Sequence, residues 1–187
     1  MTDVAPGMLL LATPGLTDPN FVDSVVLLLN ADDGGVLGVV LNRPSQVPVA
    51  EITEISSWGP TLTSPEVLFR GGPVSVEGAI AVALLRDEDD EPVGFRSVRG
   101  RLGIVDLDTP VALFEGSLVG MRIFAGYAGW DPDQLQGEIE RGDWYVAAGA
   151  TGDLFRDDPT ELWRDVMRRQ PGRLAWHSTR PVDPDLN

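Results

Sequence analysis

The chain has 187 residues, 43% of them hydrophobic, and its 29 acidic side chains outnumber 14 basic ones for a formal charge of −15 at pH 7. It contains no cysteine, which excludes disulfides, thiolate nucleophiles and Cys-ligated zinc; every basic residue is Arg, which excludes Schiff-base chemistry and the phosphate-gripping Lys of a P-loop. Nucleic-acid affinity rests on neutralising phosphates, so the charge argues against direct DNA binding.

The elements follow in chain order. MLLLA (8–12) reads as a buried strand, followed by a loop with a short helical turn opened by Asp18-Pro19. SVVLLLN (24–30) and VLGVVLN (36–42) are apolar, β-branched runs joined by ADDGG, where Asp33-Gly34 suits a positive φ, so a hairpin is expected. Arg43-Pro44 ends that strand, because proline cannot donate to the ladder. Over Ser45–Trp58, the regular spacing of Val49, Ile52 and Ile55 predicts a short amphipathic helix.

VLFRGGPV (67–74) runs a strand into a tight turn, and AIAVALL (79–85) is the next strand. RDEDDEP (86–92) lacks the ligand spacing and central Gly of a calcium loop and reads as a solvated loop. FRSVRGR, with Arg96, Arg99 and Arg101, is the most basic stretch. It reads as a strand edge or loop, and it alone would revive a nucleic-acid role. LGIVDL (102–107) is a strand, and Asp108-Thr109-Pro110 opens a short helix through Phe114.

MRIFAGYA (121–128) and WYVAAGA (144–150) are strands on either side of a helix opened by Asp131-Pro132. A helix carrying Leu162, Trp163, Val166 and Met167 follows the cap Asp158–Glu161, and LAWHS (174–178) suits a last short strand. Strands dominate without strict β-α-β alternation, so the expected class is α+β. One domain over 1–187 is expected, ordered over about 7–178, with the tail TRPVDPDLN frayed. Met1–Gly7 carries Asp3 and no positive charge, and no apolar run approaches a membrane span, so a soluble cytoplasmic protein is expected.

The densest cluster of chemical groups is GYAGWDPDQLQGEI (126–139). Much of it has a structural role. Asp131 is a natural N-cap, Pro132 suits the first helical position, Gln134 falls at N3, Leu135 and Ile139 share a buried face, and Gly142 closes the helix. Tyr127 and Trp130 each carry a polar handle that needs a partner if buried or marks a binding surface if exposed. Asn42 and Arg43 emerge at a strand end, where Arg43 suits a phosphate or carboxylate, or else a strand cap and surface ion pair. In RGGPV, Gly71 and Gly72 beside Arg70 suit an anion nest or simply a tight turn. His177, the only histidine, has no Gly-x-Ser-x-Gly elbow to serve. No catalytic residue, metal site or cofactor is implied. The candidate binding surface is Asn42, Arg43, Arg70, Gly71, Gly72, Tyr127, Trp130, Gln134 and Glu138.

MLLLATPGLTDPNFVDSVVLLL, GGVLGVVLNRPS, LFRGGPV and GYAGWDPDQLQGEIERGDWYVAAG, taken in that order, resemble the YqgE/AlgH family of small bacterial proteins, from about Gly7 to Trp163. The resemblance implies an α+β fold with a bifurcated mixed sheet and a small closed β-barrel, surrounded by short helices. It carries over Asn42, Arg43, Pro44, Gly71, Gly72, Pro73, Gly126, Gly129, Trp130, Gln134, Leu135, Glu138 and Trp144 as signature positions without assigned roles. Ala31 departs from the pattern, since many relatives carry a histidine there. The resemblance implies no defined reaction. One branch is named for a proposed part in transcriptional regulation, which an acidic chain would play indirectly, through a protein partner. A non-catalytic regulatory or interaction module is therefore expected, its partner an unnamed protein or small molecule. The alternative is a ligand-binding protein or enzyme with a cleft around Asn42, Arg43 and Trp130.

Overall fold

The computed structural model describes residues 4–172 and 174–179. Ten strands form one curled sheet: β1 (Met8–Ala12), β2 (Val25–Asp32), β3 (Gly35–Val40), β4 (Pro44–Pro48), β5 (Val67–Arg70), β6 (Val74–Leu85), β7 (Phe95–Arg99), β8 (Leu102–Val105), β9 (Leu118–Trp130) and β10 (Trp144–Ala148). Among the described residues four α-helices accompany them: α1 (Pro132–Arg141), α2 (Thr151–Leu154), α3 (Leu162–Arg168) and α4 (Leu174–His177). The main path runs β10-β1-β2-β3-β9-β6-β8-β7, and β4 joins β5, which pairs with β9. All pairings are antiparallel except β5 with β9, so the sheet is mixed, as expected.

The sheet forks at β9. Its first part pairs with β6, Phe124 and Ala125 pair with β5, and Ala128–Trp130 pair with β3. Successive strand side chains point to opposite faces, so apolar runs without alternation demand a core on both. Leu9 and Leu11 of β1, Val25, Leu27 and Leu29 of β2, and Val82 and Leu84 of β6 meet in one cluster with Trp163, Val166 and Met167 of α3. Side chains from both ends of the sheet converge there, which places the cluster on the concave side. The curl gives a half-barrel plugged by α3, and this is the form the expected barrel takes. The alternate residues Leu10, Val26 and Leu28 face a second cluster under α1, and Ala81, Ala83 and Leu85 face a third under Trp58 and Phe114.

The fork depends on backbone-to-backbone contact. A Cβ on Gly71 would stand 2.3 Å from the Gly126 carbonyl oxygen, and one on Gly72 would stand 2.2 Å from the Tyr127 carbonyl carbon. Gly126 is itself left-handed at φ +69°, and its Cβ would meet the Gly72 oxygen at 2.5 Å. Only glycines let the chain cross β9 this closely.

Arg122 of β9 is a buried cation that the sequence did not single out. It is 1% exposed, with its guanidinium 4.4 Å from the centre of the Phe69 ring. Its Nη1 donates to the Leu154 oxygen (3.1 Å) and its Nη2 to the Ser64 and Arg156 oxygens (2.8 Å each). One planar side chain thereby ties the 154–156 segment and the turn before β5 to the central strand. Burial pushes the guanidinium down to about 10, partly offset by Asp157, and it stays charged at neutral pH.

Several expectations need correction. Ser45–Trp58 is not one helix: it forms β4 and then 3-10 turns at Val49–Glu51 and Ser56–Thr61. A spacing of three suits 3-10 geometry as well as α, and Val49, Ile55 and Trp58 are buried by those turns. The hairpin between β2 and β3 turns on Asp33-Gly34 alone, and the positive φ falls on Gly35 (+134°). LAWHS forms the short helix α4 instead of a strand, with the Ser178 N–H donating to the Ala175 oxygen. The side chain of His177 and most of the expected frayed tail lie outside the described residues. Arg96 and Arg99 do sit on an edge strand, β7.

Two substitutions test these constraints by urea unfolding. Gly126→Ala should cost about 2–4 kcal/mol, combining left-handed strain with overpacking. Gly142→Ala, equally left-handed but with nothing within 4 Å of the added carbon, should cost only about 1 kcal/mol. Equal losses would refute the crossing argument. Arg122→Met strands the carbonyls that Arg122 serves and should cost about 2–4 kcal/mol.

Candidate functional site

The corner at the end of β9 is built as the sequence suggests. The Asp131 N–H donates to Gln134 Oε1 (3.4 Å) and the Gln134 N–H to the Asp131 oxygen (3.0 Å). Gly142 ends α1 at φ +83°, with the Asp143 N–H reaching back to the Glu138 oxygen.

Glu138 and the tryptophans hold one another. Glu138 Oε2 accepts from Trp130 Nε1 (2.9 Å) and from Trp144 Nε1 (2.8 Å), and Oε1 accepts from Gln134 Nε2 (2.9 Å). The Trp130 and Trp144 rings meet edge-on at 5.7 Å between centroids. Phe21, which the sequence did not single out, packs 5.9 Å from the first and 5.5 Å from the second. The indole N–H groups are thus satisfied inside the fold, which answers the question the sequence left open for Trp130.

Asn42 and Arg43 also bond inward. Asn42 Oδ1 accepts from the Val25 N–H (3.0 Å), and its Nδ2 donates to the oxygen of Asp23, a left-handed residue at φ +53°. Arg43 donates through Nη1 to the Pro19 oxygen and through Nη2 to the Val22 oxygen, each at 3.0 Å. Both groups of candidates therefore grip the loop between β1 and β2. Phe21 is held by the tryptophan pair, and the backbone on either side of it by Asn42 and Arg43.

The candidates do not share one cavity. Arg43, Arg70 and Gly72 line a cleft of about 570 Å³ with Pro19, Val47, Leu68 and Val76. Tyr127, Trp130 and Gln134 line another of about 450 Å³ with Asn30 and Asp32. There the Asp32 carboxyl is held below its usual range by Asn30 and then by the Gly34 N–H. Glu138 lies with Trp130, Trp144 and Phe21 around a smaller hollow of about 270 Å³. Gly71 spends its N–H on the Ala125 oxygen (2.8 Å), and its tight fit against Gly126 accounts for the glycine.

The first cleft brings two arginines together. Burial pushes the Arg43 guanidinium below its ordinary value and Arg70 pushes the same way, while Asp18 and Asp23 pull it back. Its rim carries Val47, 44% exposed, and Val76, 60% exposed. Val76 carries no signal in the sequence, where the strand is expected only from Ala79; β6 instead begins at Val74.

Glu138→Leu strands two indole donors and should cost about 2–4 kcal/mol, whereas Glu138→Gln retains an acceptor and should cost about 1 kcal/mol. Urea unfolding followed by indole fluorescence reads both. Equal stabilities would show that the indole bonds carry no weight.

The chain matches the AlgH-like family model over residues 9–175. A UPF0301 protein of Streptomyces avermitilis is 48% identical over 192 residues, covering 100% of this chain and 98% of that protein. One from Mycobacterium tuberculosis is 42% identical, covering 98% and 91%. A crystal structure of a Corynebacterium diphtheriae protein superposes with a TM-score of 0.89 at 35% identity, covering 96% of this chain and 94% of that one. The solution structure of the Pseudomonas aeruginosa AlgH protein gives 0.69 at 25% identity, covering 98% and 100%. The extended match, the relatives and the shared architecture agree: this chain belongs to the AlgH-like, UPF0301 family.

Proposed function

We propose that the protein acts by binding and not by catalysis, as a regulatory or interaction module whose working surface is the Arg43–Arg70 cleft. The observation that carries this reading is the division of labour among the candidates. The carboxylate, amide and indole groups of the β9–α1 corner are committed to one another, and a proton-transfer role would break the bonds that hold the corner. The cleft instead joins cationic groups to apolar walls, the combination by which small-molecule sites fix orientation and gain affinity. A regulatory effect on transcription, which the name of one family branch suggests, would pass through such a surface to a partner, since the −15 charge opposes direct contact with DNA. The cytoplasmic setting expected from the sequence belongs to the same proposal.

The test is a fragment screen mapped by amide shifts on labelled protein, with each ligand checked afterwards for chemical change. Shifts should cluster at residues 19–20, 43–47 and 68–76, with ligands recovered intact. Conversion of a ligand, abolished by Arg43→Ala in a folded variant, would overturn the non-catalytic reading.

A further inference from the structure

We infer that the Arg43–Arg70 cleft is a site for a small oxyanion, a carboxylate or phosphate monoester, that carries a short apolar body. The inference rests on the binding reading above and names its ligand class.

Among the described residues Arg141, Arg156, Arg164, Arg168 and Arg169 each meet a carboxylate, whereas Arg86, Arg96, Arg99, Arg101 and Arg122 do not; what sets Arg43 and Arg70 apart is that they line one cavity together. Among the described residues, no carboxylate lies within ion-pair distance of Arg43 or Arg70. The Arg70 N–H donates to the Arg43 oxygen (2.8 Å), so the two backbones are adjacent, and both side chains line one cavity. Like charges placed together repel: burial first and Arg70 second push the Arg43 guanidinium below its ordinary value, and Asp18 and Asp23 offset this only in part. An oxyanion between them relieves that repulsion, and guanidinium groups present the planar donors that carboxylate and phosphate match.

Arg43 is also fixed in place. Its bonds to the Pro19 and Val22 oxygens hold the guanidinium before any ligand arrives, so little rotamer freedom is lost on binding. Arg70 is exposed and able to close over a bound group.

The rest of the cleft sets the other half of the ligand. Leu68 of β5 and Ala125 of β9 lie on the same face as Arg70, and Val40, Val47, Pro73 and Val76 complete the lining. This wall is apolar, and at about 570 Å³ the cleft falls in the usual range for small-molecule sites. The start of β6 is strained. Ser75 adopts a left-handed φ of +48°, and the register between β6 and β9 slips between Val74 and Ala79. That bulge frees Val76 from the sheet and leaves it at the cleft mouth.

Hexanoate, hexyl phosphate and neutral hexanol serve as probes, titrated into labelled wild-type protein and into Arg70→Gln. Arg70 is a surface side chain, so the variant should keep its fold, which its amide spectrum checks. Both anions should shift the amides of Leu68, Arg70 and Val76, and Arg70→Gln should weaken them about tenfold, the loss of one charge-assisted bond. Hexanol should bind more weakly and be indifferent to the substitution. Val76→Asp, which supplies a counter-ion from within, should suppress anion binding. A preference between the two anions tells whether the natural group is a carboxylate or a phosphate. Hexanol binding as well as the anions, or anions binding Arg70→Gln undiminished, would remove the oxyanion assignment and leave the binding module standing. Anion shifts confined to Trp130 and Tyr127 would overturn the choice of cleft. Chemical conversion of a probe would instead overturn the non-catalytic reading.

Discussion

The fold depends on one contact in which no side chain fits: the backbone of Gly71-Gly72 lying on that of Gly126-Tyr127. A ladder alone does not explain a parallel strand inserted between antiparallel neighbours. β5 reaches β9 only because the chain can then leave across it, and that exit requires backbone atoms at a separation that excludes any Cβ. Once the crossing is made, β9 divides its length among three partners, and the sheet must curl to serve them all. The concave face this creates is closed by α3. Arg122, three residues before Ala125 on the same strand, ties down the segment that leads toward α3.

The same crossing places the cleft. Arg70 sits at the last position of β5 before the glycines, and Val76 lies within the bulge that follows them. The loop between β1 and β2 supplies the remaining wall, and its position is over-determined. Phe21 is gripped by a tryptophan pair that Glu138 locks in place, while Asn42 and Arg43 capture the backbone on either side of it. The candidates at the β9–α1 corner and those after β3 are therefore coupled through a shared structural load. Disturbing Trp130 should move Pro19, which lines the cleft, without Trp130 touching a ligand there.

What the sequence disclosed and what it hid follow from the range of the interactions. Strands with unbroken apolar runs, the Asp131 cap and the Gly142 stop are local patterns, and they were legible because their causes lie within a few residues. The two 3-10 turns were not separable from a helix, because Val49, Ile52 and Ile55 satisfy both periods and only the pairing of β4 with Phe69 decides between them. Arg122 was invisible for a different reason. Arginine in a strand is ordinarily solvated, and nothing near MRIF announces that distant carbonyls at Ser64, Leu154 and Arg156 converge on it. The sequence marks Glu138 as a binding-surface candidate, whereas in the fold it serves the indoles of Trp130 and Trp144, which come together only when α1 folds back between two strands. The sequence therefore marks these residues as chemically dense, while the geometry divides them among three cavities.

The exclusive use of arginine bears on this division. At Arg122 and Arg43 a single side chain serves several carbonyl oxygens at fixed angles, which a planar fork of donors does and a lysine ammonium on a flexible stem does not. These two arginines act as braces whose charge is a by-product of their geometry. At Arg122 that charge is enclosed over the Phe69 ring and spent on carbonyls. At Arg43 the brace stands at the wall of an open cleft that Arg70 also lines, and the side chain is only partly buried. On the binding reading proposed above, an acidic protein would gain a local cationic site from residues on separate segments, and the side chain that grips the loop would also attract the anion.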